Sequence, residues 1–364
     1  MFRDRKVAMI SISDNYDHQN TLYSMYDQFT NDENYICIGL NNPKFKISNE
    51  VKKSPRYYSV KGPLRPGVTK GTFNIFDLNK ILRILKKEKI KCVYFESTHV
   101  WNLPIILYSK MKKIEVYHAL HDVIPHDGDS QSYFVKKLQE MIIKLSDMIL
   151  VRSEVSVPIF KELNPKYSEK CRYLPLWREW NDLTIISESN PNPYLLFFGR
   201  LNKYKGLDDL IKIIEMLPDI KFKVVGRASN EVVSEIEALR SFRNVEMDLE
   251  YVSDEAMESY FRKANAVILP YQSATQSGVI IDAYNCGTPV IAYDVGAISS
   301  QIKHGSTGFL SKPNDVKAMA DYSQEMMRLS DKEIFDFRER AFLFGEEQYS
   351  SKSKKDQFEK MFSK

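Results

Sequence analysis

Only four cysteines stand in the 364-residue chain, Cys37, Cys92, Cys171 and Cys286. They are far apart, lie mostly inside apolar runs and form no Cys-x-x-Cys or Cys/His spacing. A disulfide framework and a zinc site are therefore excluded, and buried free thiols in a reducing compartment are expected. Charge of one sign is equally scarce: 52 basic against 48 acidic residues leave +4, spread along the chain. That balance does not imply a nucleic-acid partner. Long hydrophobic runs are missing as well, since the nearest, Val100–Tyr108, is far too short to cross a bilayer. From Met1 the chain passes through Phe-Arg-Asp-Arg-Lys6 into Val7–Ile12 without the apolar core of a signal peptide. A cytoplasmic setting is expected on that ground. No Gly-x-Gly-x-x-Gly fingerprint, P-loop or nucleophile elbow occurs, so dinucleotide redox chemistry and ATP hydrolysis have no support. Solenoid repeats and low-complexity segments are also absent.

What is present is alternation. Hydrophobic residues make up 43% and charged residues 27%, a globular composition long enough for two domains. Short apolar runs alternate with amphipathic ones, which predicts βαβ units and parallel sheets. The strand candidates are Val7–Ile12, Tyr35–Leu40, Lys91–Phe95, Glu115–Leu120, Met148–Val151 and Arg172–Leu176, then Tyr194–Phe198, Phe222–Val225, Val245–Leu249, Ala266–Leu269, Val290–Tyr293 and Gly308–Leu310. Asn41–Thr72, with four prolines, shows no clear periodicity and receives no element. Trp180–Pro193 ends in Asn-Pro-Asn-Pro, a linker composition. The expected organisation is a first doubly wound domain over 1–180 and a second over 190–345, with the tail 345–364 packing back on the first. Two such domains bind ligands in a cleft at the carboxyl ends of their strands.

The most informative stretch is Tyr271-Gln-Ser-Ala-Thr-Gln-Ser-Gly278-Val-Ile-Ile-Asp282-Ala-Tyr-Asn-Cys-Gly287-Thr-Pro289. It reads as a small polar loop leading into a short helix with a glycine stop. Gly278 lets the backbone approach a ligand, and the first N–H groups of the helix form an anion site. A diphosphate over the loop and a ribose hydroxyl on Asp282 fit that geometry. Gly199-Arg200-Leu-Asn-Lys-Tyr-Lys205-Gly206 places an arginine fork and a lysine point charge at another strand end. Alone they read as a solvated loop; beside the Gly278 loop they read as a phosphate clamp.

Gly199-Arg200…Lys205-Gly206, Val224-Val-Gly226, Tyr251-Val-Ser-Asp-Glu255, Leu269-Pro-Tyr271…Ser277-Gly278-Val279…Ala283…Gly287-Thr-Pro-Val-Ile291 and Gly305-Ser-Thr-Gly308 together resemble family-4 retaining glycosyltransferases, over roughly Tyr194 to Lys312. The resemblance implies the α/β GT-B architecture of two facing Rossmann-like doubly wound parallel-sheet domains with an interdomain cleft. It implies a nucleotide-sugar donor held by the second domain and a carbohydrate or lipid-linked acceptor on the first. Transfer would proceed with retention, without a metal or any cofactor beyond the donor. Arg200 and Lys205 match the family's diphosphate pair, and the amides around Ser277, Gly278 and Val279 its sugar- and phosphate-facing loop. Asp282 stands where the family has the second glutamate of its Glu-x7-Glu pair, which holds the ribose. The first glutamate falls on Ala274, so its sugar contact is missing or comes from elsewhere, with Gln276 the neighbour placed to supply it.

In the first half, Val116-Tyr-His118-Ala-Leu-His121-Asp122-Val-Ile-Pro125-His126 is similar to the family's His-Asp step, where the histidine region faces the reacting sugar. His121 and Asp122 are the catalytic candidates, by hydrogen bonding or proton transfer; His118 is assigned to structure. Asn15, His18, His99 and His126 are acceptor-side candidates at strand ends, although capping of the next helix explains Asn15 equally well. Asp127-Gly-Asp129 reads as a turn, Asp208-Asp209 as a helix start favouring the dipole, and Trp101, Trp177 and Trp180 as core before sugar-stacking faces. The lysine-rich Ser350–Lys355 admits peripheral contact with the inner membrane face, though a solvated helix start explains it more simply. Two rivals stand beside the transferase. One is a nucleotide-sugar epimerase of the same architecture, which needs cleft carboxylates such as Glu96 or Asp122. The other is a non-catalytic nucleotide-binding partner of another transferase, motivated by Ala274 and the glycine-free first loop.

Overall fold

The inner strands of two parallel sheets form from short apolar runs, as expected where both faces of a sheet are covered by helices. The computed structural model describes residues 5–40, 45, 47–62, 74–123, 132–186, 190–250, 252–274 and 276–362. These divide into two compact units, one of Met1–Glu179 with Tyr349–Lys364, the other Trp180–Gln348.

The first unit contains β1 (Val7–Ile10), β2 (Tyr35–Leu40), β3 (Tyr57–Val60), β4 (Cys92–Phe95), β5 (Glu115–Leu120), β6 (Met148–Val151) and β7 (Cys171–Tyr173), in the spatial order β3-β2-β1-β4-β5-β6-β7. Every pairing is parallel, for instance Val7↔Cys92 between β1 and β4 and Phe95↔His118 between β4 and β5. The order reverses between β1 and β4, which opens a crevice at their carboxyl ends. β3 lies in the stretch where periodicity predicted nothing. It is an edge strand with three of four residues only half-buried, so it carries no apolar run to read. β7 stops at Tyr173 rather than Leu176, because Pro175 cannot donate to the ladder.

The chain returns to this unit at its end. Arg178 N–H donates to Tyr349 O (2.8 Å), and Ser351 N–H donates to Arg178 O (2.8 Å). The helix Ser351–Met361 then buries Phe358 against Phe29, Tyr94 and Trp177, and Phe362 follows it against Tyr117. Trp101 and Trp177 are core residues here, not sugar-stacking faces.

The second unit contains β8 (Leu195–Phe198), β9 (Phe222–Val225), β10 (Val245–Asp248), β11 (Ala266–Leu269), β12 (Val290–Tyr293) and β13 (Gly308–Ser311), in the order β10-β9-β8-β11-β12-β13. Its reversal falls between β8 and β11. The helices Leu207–Met216 and Gly278–Asn285 follow those two strands. All four cysteines are buried and free, and burial pushes the Cys37 thiol well up, so none is a ready thiolate.

Candidate functional site

In the second unit the loops that leave β8 and β11 meet at the point of reversal. Gly199 follows β8 with φ of 109°, and a Cβ there would stand 2.8 Å from Lys205 Nζ and 3.6 Å from Val279 Cγ2. Only glycine leaves room for that convergence. Gly206 is left-handed (φ 73°), and a Cβ on it would overlap Pro270 O at 1.8 Å, so it lets the loop after β8 press onto the end of β11. Lys205 is 5% exposed; its ammonium donates to Tyr271 Oη (2.8 Å) and lies 4.7 Å from the centre of that ring. Burial pushes the Tyr271 hydroxyl far above its ordinary pKa, so it stays protonated beside the lysine. Arg200, by contrast, is exposed.

Asp209 does more than favour a helix dipole. It is buried, and its carboxylate accepts from Gln272 Nε2 (3.0 Å), Tyr293 Oη (3.0 Å) and Lys212 Nζ (2.9 Å). The helix after β8 is thereby tied to the loop after β11.

The loop 276–279 departs from expectation at one amide. Ser277 N–H donates to Gln301 Oε1 (2.8 Å), and Gln301 Nε2 donates back to Ser277 O (3.2 Å), with both residues buried. The Ser277 amide is therefore taken by a side chain and is not offered to a ligand. Gly278 and Val279 begin the helix Gly278–Asn285, where N–H groups have no intrahelical acceptor. Asp282 lies half-buried one turn on, and Gln276 half-buried just before. The structure thus brings Lys205 and Val279 together at Gly199. Gln301 carried no sequence signal, since a glutamine 24 residues away announces nothing until the loop folds onto it.

In the first unit the corresponding reversal is closed by polar side chains. Ser11 and Ser97, just past β1 and β4, share a hydrogen bond (3.1 Å). Gln19, fully buried, donates to Ser11 O (3.1 Å), Ser11 Oγ (3.1 Å) and Ser13 O (2.7 Å). Asn15 caps the helix Tyr16–Asp27 by accepting from Asp17 N–H (2.9 Å). His18 shares a hydrogen bond with Ser13 Oγ (3.0 Å), and its ring lies 4.0 Å from that of His121. His121 Nε2–H donates to Glu96 O (2.8 Å) and lies 3.0 Å from Glu96 Oε1. Glu96 is wholly buried and bonded to Arg152 and to Tyr94 Oη. Burial opposes its ionisation, but Arg152, His121 and Tyr94 outweigh that and hold its pKa below the usual value.

Asp122 is half-buried and its carbonyl accepts from Gln139 Nε2 (3.1 Å). His99 does not reach an open surface: it is enclosed, and its Nδ1 accepts from Trp101 N–H (3.1 Å) just before the helix Asn102–Met111. His118 is enclosed too; burial, chiefly, drives its pKa to about 3, and its Nε2 accepts from Asn102 Nδ2 (2.9 Å). His126, Asp127 and Asp129 lie outside the described residues. Among the described residues no cluster of three or more metal-ligating side chains occurs, and no helix is long and apolar enough to cross a membrane.

Residues 180–342 match the family model of Glycosyl transferases group 1. A D-inositol 3-phosphate glycosyltransferase of Pseudarthrobacter chlorophenolicus is 33% identical over 139 residues, covering 35% of this chain and 33% of the relative. The chain thus aligns with about a third of that relative's length. An uncharacterized glycosyltransferase of Haemophilus influenzae is 24% identical over 79% of each chain. Among solved structures, Anabaena HepE in complex with UDP and glucose superposes over 99% of this chain and 100% of its own, at a TM-score of 0.71 and 14% identity. Sucrose-phosphate synthase from Thermosynechococcus elongatus does so over 99% and 98%, at 0.69 and 16%. At such identities the likeness is one of fold, and the fold is GT-B: two Rossmann-like domains with parallel sheets of seven and six strands.

Proposed function

We propose that this chain is a metal-independent glycosyltransferase. It moves a sugar from a nucleotide-sugar donor to a carbohydrate or lipid-linked acceptor, with retention of configuration, in cell-surface polysaccharide or glycan synthesis. The observation that carries this reading is the buried Lys205 ammonium beside Gly199 and Val279, at the point of strand reversal inside the group 1 match. HepE has been solved in complex with UDP and with UDP-glucose, which makes uridine diphosphate sugars the first donors to try. A 41.2 kDa protein from the cps region of Klebsiella pneumoniae, 23% identical over 244 residues, supports the setting.

Lys205 exchanges the Tyr271 hydroxyl for a diphosphate oxygen, Arg200 adds its fork, and the helix amides at Gly278 and Val279 complete the cradle. Asp282 takes the ribose hydroxyls, and Gln276 stands in on the sugar side for the carboxylate that Ala274 lacks. Neutralising the departing diphosphate lowers the barrier to breaking the bond from sugar carbon to phosphate oxygen. His121 and Asp122 serve the reacting sugar from the first unit, where Asn15, His18 and His126 are acceptor-side groups.

The test is a melting-temperature panel of nucleoside diphosphates and their sugars on wild type and Arg200→Ala, followed by an assay of diphosphate release. One nucleotide series should raise the melting temperature with the logarithm of its concentration, less so in the variant, and release should follow addition of acceptor. Binding without any release favours a non-catalytic partner. A melting temperature unmoved by every nucleotide sinks the donor site.

A further inference from the structure

Glu96, His121 and Arg152 are the residues that come first after β4, β5 and β6, three strands side by side in the first sheet. Glu96 and Arg152 are enclosed, with both side chains 0% exposed. Besides Glu96, the Arg152 guanidinium donates to Tyr94 Oη (2.7 Å), Leu174 O (3.3 Å) and Pro175 O (3.2 Å), and it lies 5.0 Å from the Trp177 ring. Its Nε–H has no hydrogen-bond partner among the described residues. A buried ion pair with a donor left over is not a good device for stability, because the desolvation of two charges offsets their attraction. The pair reaches toward solvent through the His121 ring, 15% exposed.

His121 Nε2 faces two acceptors, Glu96 O and Glu96 Oε1, at 2.8 and 3.0 Å. A nitrogen so placed carries the ring proton, which leaves Nδ1 as the lone-pair nitrogen of the neutral imidazole. The neighbouring His18 ring covers one side of His121 and is itself held at Ser13.

We infer that Glu96, anchored by Arg152, is a positioning residue that holds His121 as its Nε2–H tautomer and offers Nδ1 to a substrate hydroxyl. The inference rests on the transferase reading only for what meets Nδ1; the tautomer is a property of the first unit. Arg152 acts at one further remove, keeping the Glu96 carboxylate ionised and in place. Neither group touches substrate.

The experiment uses the full chain labelled with 15N-histidine, in wild type and in the double variant Glu96→Gln/Arg152→Met. That variant removes both charges together and so leaves neither buried alone. Long-range 15N–1H spectra, with His121→Asn to identify the signal, should show His121 in the wild type protonated on Nε2 only. The double variant keeps the Glu96 carbonyl as an acceptor but loses the carboxylate, and should show a measurable share of the Nδ1–H tautomer. Its turnover should fall roughly 10- to 100-fold, the scale on which outer partners of a functional histidine act, at nearly unchanged KM for donor. Its melting-temperature response to nucleotide should match wild type, since that site lies in the other unit. A wild-type His121 protonated on Nδ1 overturns the inference, as does a double variant that keeps both the Nε2–H tautomer and full turnover. A wild type without glycosyl transfer defeats the proposed function instead, and the tautomer still decides this point.

Discussion

The two sheets reverse their strand order in the same way and use the resulting crevices oppositely. At the end of β1 the chain has no glycine, and Gln19 fills the crevice with three donated hydrogen bonds while Ser11 and Ser97 close across it. At the end of β8 stands Gly199, whose spared space admits a lysine ammonium and a helix start, and Gly206 farther along the loop lets it press onto Pro270. One topology thus yields a hydrogen-bonded polar plug in one unit and a cationic cradle in the other. Doubly wound architecture supplies the crevice, but the size of a few side chains decides whether an anion fits it.

The largest effect that would break this contrast is expected from Gly206→Ala. The new Cβ meets a backbone oxygen at 1.8 Å in a left-handed conformation, which forces the two loops apart. A loss of about 1–3 kcal/mol in urea denaturation and disappearance of the nucleotide response are expected. An unchanged response would show that the close approach of the loops is not needed. Lys205→Met comes next: the fold should survive, while nucleotide affinity measured by titration calorimetry should drop about 10- to 100-fold, the worth of a charged hydrogen bond. Undiminished affinity would move the clamp elsewhere.

Gln19→Ala sharpens the contrast from the other side. It strips buried serine carbonyls of a donor and should cost about 1–3 kcal/mol of stability without altering nucleotide binding. A matching loss of nucleotide affinity would contradict the separation of roles.

The smallest effect expected is on pH dependence. His118 has its folded-state pKa lowered from 6.5 to about 3, so folding favours the neutral ring. Its contribution is complete above the unfolded pKa and is lost as pH falls from there toward the folded value. Between pH 6.5 and 5.5 the wild type should lose about 1 kcal/mol more than His118→Gln in urea denaturation. Equal losses would mean that His118 is not the group responsible.

Much of the framework was legible because parallel strands buried on both faces must be continuous apolar runs. Glu115–Leu120, Ala266–Leu269 and Val290–Tyr293 are strands with the limits read from the chain. β3 was illegible for the converse reason, an edge strand needing no such run. Among site residues, Gly199, Lys205 and Gly278 were visible as glycines and a cation near strand ends. Gln301 and Arg152 were not, because the groups that give them meaning, Ser277 and Glu96, lie 24 and 56 residues away. His99 misled because a histidine past a strand end looks the same whether it faces outward or is enclosed and holds a backbone amide, as His99 holds that of Trp101.

Local order of apolar and polar residues was enough to specify the alternating elements, the parallel sheets and the two glycine-marked loops, since strand burial and backbone freedom are properties of short stretches. Only tertiary structure decided which amide Gln301 occupies, that Lys205 rests on Tyr271, and that an arginine and a glutamate from different strands meet under His121. Those choices depend on which strand ends become neighbours. Strand order is settled by the packing of the whole sheet, and no segment carries it alone.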